Sequence, residues 1–251
     1  MGLIVNLSTI HDYSINETVS AFVRLCNQYS YGCLQCMPGF FQTGTNYAWV
    51  MAQYKLKYKS LIEPYKLGNI STEDFLDNLA EIFYFMDDMS TGERNKLLKE
   101  AWNASIKMSE HTQDRLRQLV EKAASEKVYL ISNTNELNIQ AILDLFKEQY
   151  PDLPFKEKID ISIQDNKEPV EILPNIYLCL SYRFKTFKSE NVTTVSLVEE
   201  LVKENQDEEF TVVSQYAGDL KKAEQLGIIH IQKAEEFYFS EATDLLVRNS
   251  Q

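Results

Sequence analysis

Val128-Tyr129-Leu130-Ile131-Ser132-Asn133-Thr134-Asn135-Glu136 is a short apolar run that ends in a polar tip. Four consecutive apolar residues are too few for a helix and fit a buried strand, predicted over Lys127–Ser132. Downstream, apolar residues recur at helical spacing until Pro151, which predicts a helix over Glu136–Gln149. The same alternation then repeats. Strands are predicted at Ile176–Leu180, Phe210–Ser214 and Ile228–Ile231, and helices at Val195–Glu204, Asp219–Leu226 and Ala234–Val247. Repeated strand–helix units imply an α/β class with a doubly wound parallel sheet.

Upstream the pattern differs. Leu3-Ile4-Val5-Asn6-Leu7 is one more apolar strand, but only helical signals lie between it and Lys127. Val19, Phe22, Val23 and Cys26 fall on one helical face, and Asn46–Ile62 is an aromatic-rich helical stretch. After a turn at Gly68-Asn69-Ile70, Ser71 or Thr72 caps a helix carrying Phe75, Leu79, Ile82, Phe83 and Met86 on one side. Glu73 and Asp74 occupy its first turn, where carboxylates suit the helix dipole. Another helix is predicted over Thr91–Ile106. The expected organisation is an α/β core domain from residues 1–13 and 109–251, with a helical cap domain of residues 14–108 inserted in it. Asp152–Leu173 is charged and proline-flanked, and is expected to be a long connection with a small strand at Ile159–Ile163.

The chain has 251 residues, 44% of them hydrophobic, enough for a sizeable core. Its 37 acidic against 25 basic residues give a formal charge of −12, which argues against nucleic acid as a partner. No apolar run approaches the roughly 18 residues of a membrane span. Met1-Gly2-Leu3-Ile4-Val5-Asn6-Leu7 lacks the basic start of a secretory signal. Cys33 and Cys36 form a single C-x-x-C without a second pair, and His11, His111 and His230 are scattered. Together with Cys26 and Cys179 they read as ordinary thiols, in keeping with a reducing cytoplasm.

Further segments fall around the same frame. Tyr177-Leu178-Cys179-Leu180-Ser181-Tyr182-Arg183 is followed by Lys188, seven residues after Ser181. Val212-Val213-Ser214-Gln215-Tyr216-Ala217-Gly218-Asp219-Leu220 is followed by Ala223, Gly227 and Ile228. In the helical block stand Tyr65-Lys66-Leu67-Gly68-Asn69-Ile70-Ser71-Thr72-Glu73-Asp74-Phe75 and Ala101-Trp102-Asn103-Ala104. With the Ser132-Asn133-Thr134-Asn135-Glu136 tip, these resemble the haloacid dehalogenase (HAD) superfamily, in its sugar-phosphate phosphatase-like branch with a helical cap after the first strand. The resemblance implies a HAD-like fold, a phosphate-binding hydroxyl at Ser132 beside Asn133, and a lysine at Lys188 that contacts the phosphoryl group. It implies a metal ligand at Asp219, while Gln215 stands where the family has another acidic ligand.

The first motif departs from the family. Where D-x-D or D-x-G is required, this chain has Asn6-Leu7-Ser8, so Asn6 occupies the nucleophile position and Ser8 the acid/base position. An amide is a weak nucleophile and a poor ligand for a hard cation. His11, Asp12, Asp87 and Asp88 are poor substitutes. Asp12 reads as a hinge or cap residue, Asp87-Asp88 as a solvated turn. The expectation is a catalytically degenerate pseudophosphatase, a binding or regulatory module for a protein or a phosphorylated small molecule, with no cofactor. The alternative is an active, Mg²⁺-dependent hydrolase of a small phosphate ester such as a sugar phosphate. A structural account of the same residues has Ser132 capping the next helix and Lys188 pairing with Asp219.

Overall fold

Leu3, Ile4 and Val5 are each at most 1% exposed, so the strand β1 (Gly2–Asn6) is covered on both faces. A strand apolar on both faces belongs in the middle of a layered sheet. In the computed structural model, which describes residues 1–29, 39–83, 86–108, 114–163, 167–187, 196–206 and 208–238, β1 lies in the interior of the sheet. It pairs in parallel with β4 (Lys127–Ser132) on one side and β7 (Phe210–Ser214) on the other. β6 (Ile176–Leu180) follows β4, β8 (His230–Lys233) follows β7, and β5 (Val170–Leu173) closes one edge, giving the order β5-β6-β4-β1-β7-β8. The sheet therefore winds outward in both directions from β1, and the carboxyl ends of β4, β1 and β7 meet at one edge.

The chain departs from the expected pattern in several places. The sheet is not wholly parallel, because β5 runs antiparallel to β6 with a register shift between Glu171 and Leu173. β5 lies inside the segment expected to be a connection. Ile159–Ile163 forms no strand; Ile161 is instead buried, and its carbonyl accepts a bond from the Tyr182 hydroxyl at 2.5 Å. β8 begins two residues later than expected, because Gly227 takes φ +76° and Ile229 is exposed. Helix α6 (Arg115–Lys122) precedes β4, α7 (Glu136–Gln149) follows β4, the short α8 (Ser181–Phe184) and then α9 (Leu197–Glu204) follow β6, and α10 (Ala217–Gln225) follows β7. A helix begins at residue 234; the expected remainder of Ala234–Val247 beyond residue 238 lies outside the described residues.

Between β1 and β4 runs the helical block: α1 (Ile15–Tyr29), α2 (Gly39–Lys57), a π-turn (Tyr58–Ile62), α3 (Glu63–Lys66), α4 (Thr72–Ile82) and α5 (Thr91–Asn103). The Ser71 side chain accepts from the Asp74 N–H and so caps α4. The block packs its own core, with Phe22 stacked on Phe83 and Phe75 on Tyr65. Two short strands join it to the sheet: β2 (Asp12–Tyr13) pairs antiparallel with β3 (Ile106–Lys107). The block is also tied to the ends of β4 and β6. The Ser181 hydroxyl lies 2.7 Å from the Lys66 carbonyl. Gly68 passes so close to Tyr182 that a Cβ there would stand 2.1 Å from its carbonyl oxygen, and Gly68 has φ +67°. That combination requires glycine.

Candidate functional site

A cleft of about 510 Å³ opens where the sheet edge faces the helical block. Asn6 lines it from the end of β1 and Ser8 from the turn that follows, Ser132 and Asn133 from the tip of β4, and Tyr216, Gly218 and Asp219 from the start of α10. Tyr58 and Lys66 reach it from the block, Tyr13 from β2 and His11 from just before it. Four of the residues singled out in the sequence, Asn6, Ser8, Ser132 and Asp219, thus come together from three distant stretches of the chain. Asn133 joins them.

Asn6 is 1% exposed, and every polar atom of its amide is engaged. Its Oδ1 accepts from the Ser8 N–H at 3.1 Å and from the Ser8 hydroxyl at 2.8 Å. This fixes the flip of the amide, since only oxygen can accept both. The Nδ2 therefore points at Asp219 Oδ2, 2.8 Å away, with Ser214 Oγ at 3.3 Å. Ser214 Oγ also donates to Asp219 Oδ2 at 2.7 Å. Gln215 is exposed, and its Nε2 reaches Ser8 Oγ at 3.4 Å.

As a ligand set for a divalent cation this corner fits badly. A hard cation needs oxygen donors with negative charge. Among the described residues no group of three or more His, Cys, Asp or Glu could hold a metal ion. Asp219 supplies one carboxylate, and one of its oxygens already accepts two donors. Asn6 presents N–H to that oxygen, where an aspartate would present a charge.

The Ser132-Asn133-Thr134-Asn135-Glu136 tip divides in two. Ser132 and Asn133 face the cleft, and the Ser132 hydroxyl has no hydrogen-bond partner among the described residues. Ser132 does not cap the following helix: Asn135 does, accepting from the Asn138 N–H at 3.0 Å. Asn135 and its neighbours hold the helical block instead. Trp102 Nε1 donates to Asn135 Oδ1 at 3.4 Å, Asn138 Nδ2 donates to Asn103 Oδ1 at 3.0 Å, and Glu136 accepts from Thr72. Lys188 lies outside the described residues, and so do Cys33, Cys36 and His111.

Sequence reasoning passed over His11, Tyr13, Tyr58, Lys66 and Tyr216 as cleft residues. Lys66 and Tyr216 sit inside the quoted segments and could have been read from them. Tyr13 and Tyr58 carried no signal beyond being aromatic.

No family model matches the sequence, and no curated protein matches it. Solved structures do. A HAD family enzyme from Bacteroides thetaiotaomicron, in complex with magnesium and inorganic phosphate, superposes with a TM-score of 0.57 at 18% identity, covering 92% of each chain. Its aspartate-to-alanine mutant in the same complex gives 0.56 at 18% identity, again over 92% of each chain. Its magnesium complex gives 0.56 at 18% identity, over 92% of this chain and 91% of that one. At this identity the likeness concerns the fold.

Proposed function

Because this chain has the HAD-like fold, we propose that it is a binding module for a phosphorylated small molecule that does not hydrolyse its ligand. Residues 14–108 act as the cap over the cleft. The observation that carries this reading is the Asn6 amide, locked with its N–H toward Asp219. Attack on phosphorus needs a carboxylate at that point, and charge neutralisation by Mg²⁺ needs further carboxylates. The donors for an anion are supported by the cleft lining: Ser132, Asn133 and the first residues of α10, Ala217 and Gly218. The first N–H groups of a helix have no intrahelical acceptor and favour negative charge. Replacing carboxylates by neutral groups also lowers the repulsion an anion would meet.

Thermal shift with inorganic phosphate, in MgCl₂ and in EDTA, tests the reading alongside p-nitrophenyl phosphate turnover. Phosphate should raise Tm equally in both buffers, and turnover should stay at the buffer rate. Mg²⁺-dependent hydrolysis that disappears in Asn6→Ala would overturn the proposal in favour of a hydrolase acting on a small phosphate ester such as a sugar phosphate. Asn6→Asp, Ser8→Asp and Gln215→Asp together should make phosphate binding Mg²⁺-dependent. Groups that act as a unit do not recover one by one.

A further inference from the structure

The cleft is far larger than orthophosphate, and its outer wall is aromatic. Tyr13 comes from β2, Tyr58 from the π-turn of the block and Tyr216 from the N-cap of α10, and all three line the cleft with Phe187 and Ile106. Tyr13 and Tyr216 are 47% and 48% exposed, a large aromatic surface left open to water at the mouth of a concave site. Such surface is stabilised when a flat ring covers it.

We infer that the cleft takes a nucleoside monophosphate, with its phosphate at the sheet edge and its base against Tyr13, Tyr58 and Tyr216. The inference rests on the phosphate-binding reading above and adds the organic half of the ligand. Charge follows the same division. Lys66 Nζ stands 5.8 Å from the Tyr58 ring centroid and lines the cleft, a cation beside the aromatic wall. The cleft carboxylate, Asp219, is bonded to Asn6 and Ser214 at the floor. Size agrees: about 510 Å³ is ample for a phosphate, a pentose and a base. A sugar phosphate alone would leave the tyrosine wall uncovered. Bases stack on aromatic side chains whatever their sequence identity, so the wall by itself calls for a ring and not for one particular base.

Calorimetric titration of the full chain with orthophosphate, ribose 5-phosphate and the four common ribonucleoside 5′-monophosphates tests this. At least one nucleotide should bind about tenfold or more tightly than ribose 5-phosphate, the gain expected from stacking one base. Tyr58→Leu and Tyr13→Leu should each bring that ratio toward one. The ratio is the readout because general damage to the fold would weaken both ligands together. If ribose 5-phosphate binds as tightly as every nucleotide, the base site is refuted and the phosphate site stands. If the nucleotide preference survives both tyrosine variants, the wall assigned here is wrong. If no phosphorylated ligand binds, this inference and the proposed function both fail.

Discussion

Replacing Asn6 by aspartate would exchange the N–H donor facing Asp219 Oδ2 at 2.8 Å for a second carboxylate, at a position 1% exposed. Two buried carboxylates so close cannot both ionise, so the pair would retain one proton and its folded pKa would rise above the unfolded value. The protonated pair is tolerated below the unfolded carboxylate range, and stability is lost as pH rises through the raised folded value. Asn6→Asp should therefore melt close to the parent near pH 4 and be destabilised by about 3 kcal/mol at pH 7.5, the scale of an uncompensated buried charge. Melting curves at the two pH values check it; equal penalties at both would mean that the new carboxylate finds a donor. The identity of Asn6 and Ser8 was plain in the sequence, and so was their place at the end of a buried strand. What the sequence could not supply is the direction of the amide, because that is fixed by the Ser8 N–H, a backbone group.

Two substitutions separate the contacts between the helical block and the sheet. Asn135→Ala removes the N-cap of α7 and leaves Trp102 Nε1 without its acceptor, which should cost about 2 kcal/mol. Gly68→Ala meets both a left-handed φ of +67° and the Tyr182 carbonyl at 2.1 Å, and should cost about 3 kcal/mol or more. Urea denaturation measures both; a neutral Gly68→Ala would mean that the block does not approach β6 so closely. Elements were legible where long patterns ended in strong punctuation. β4, β6, β7 and α7 run over the residues expected from their apolar runs. β5 was missed because four residues flanked by Pro169 and Pro174 carry no readable period. β2 and β3 are two residues each, and only their pairing defines them. The cleft was half legible for the same reason: its floor is made of motif residues, while its aromatic wall is assembled by the fold from elements with no common pattern.

The block and the sheet have separate hydrophobic clusters, yet Leu137 of α7 packs within the block's core. With the bonds from Asn135, Asn138 and Ser181, this shared side chain should couple the two parts into one unfolding unit. Both tryptophans, Trp49 and Trp102, lie in the block, so tryptophan fluorescence reports on the block and on its contact with Asn135. Far-ultraviolet circular dichroism reports on α6, α7, α9 and α10 as well. The two probes should give one coincident midpoint in urea. A fluorescence transition that comes first would show the block opening by itself while the sheet stays folded.

The interior position of β1 has a consequence for biosynthesis. Asn6 and Ser214, hydrogen-bonded in the finished protein, are 208 residues apart. At roughly 5–20 residues per second, β1 waits on the order of 10–40 s on the ribosome before β7 is made. During that interval Leu3-Ile4-Val5 is an apolar strand without its second neighbour, a natural target for chaperones that hold nascent chains. The segment that carries Asn6 into the cleft thus gains its second neighbour only when β7 is made.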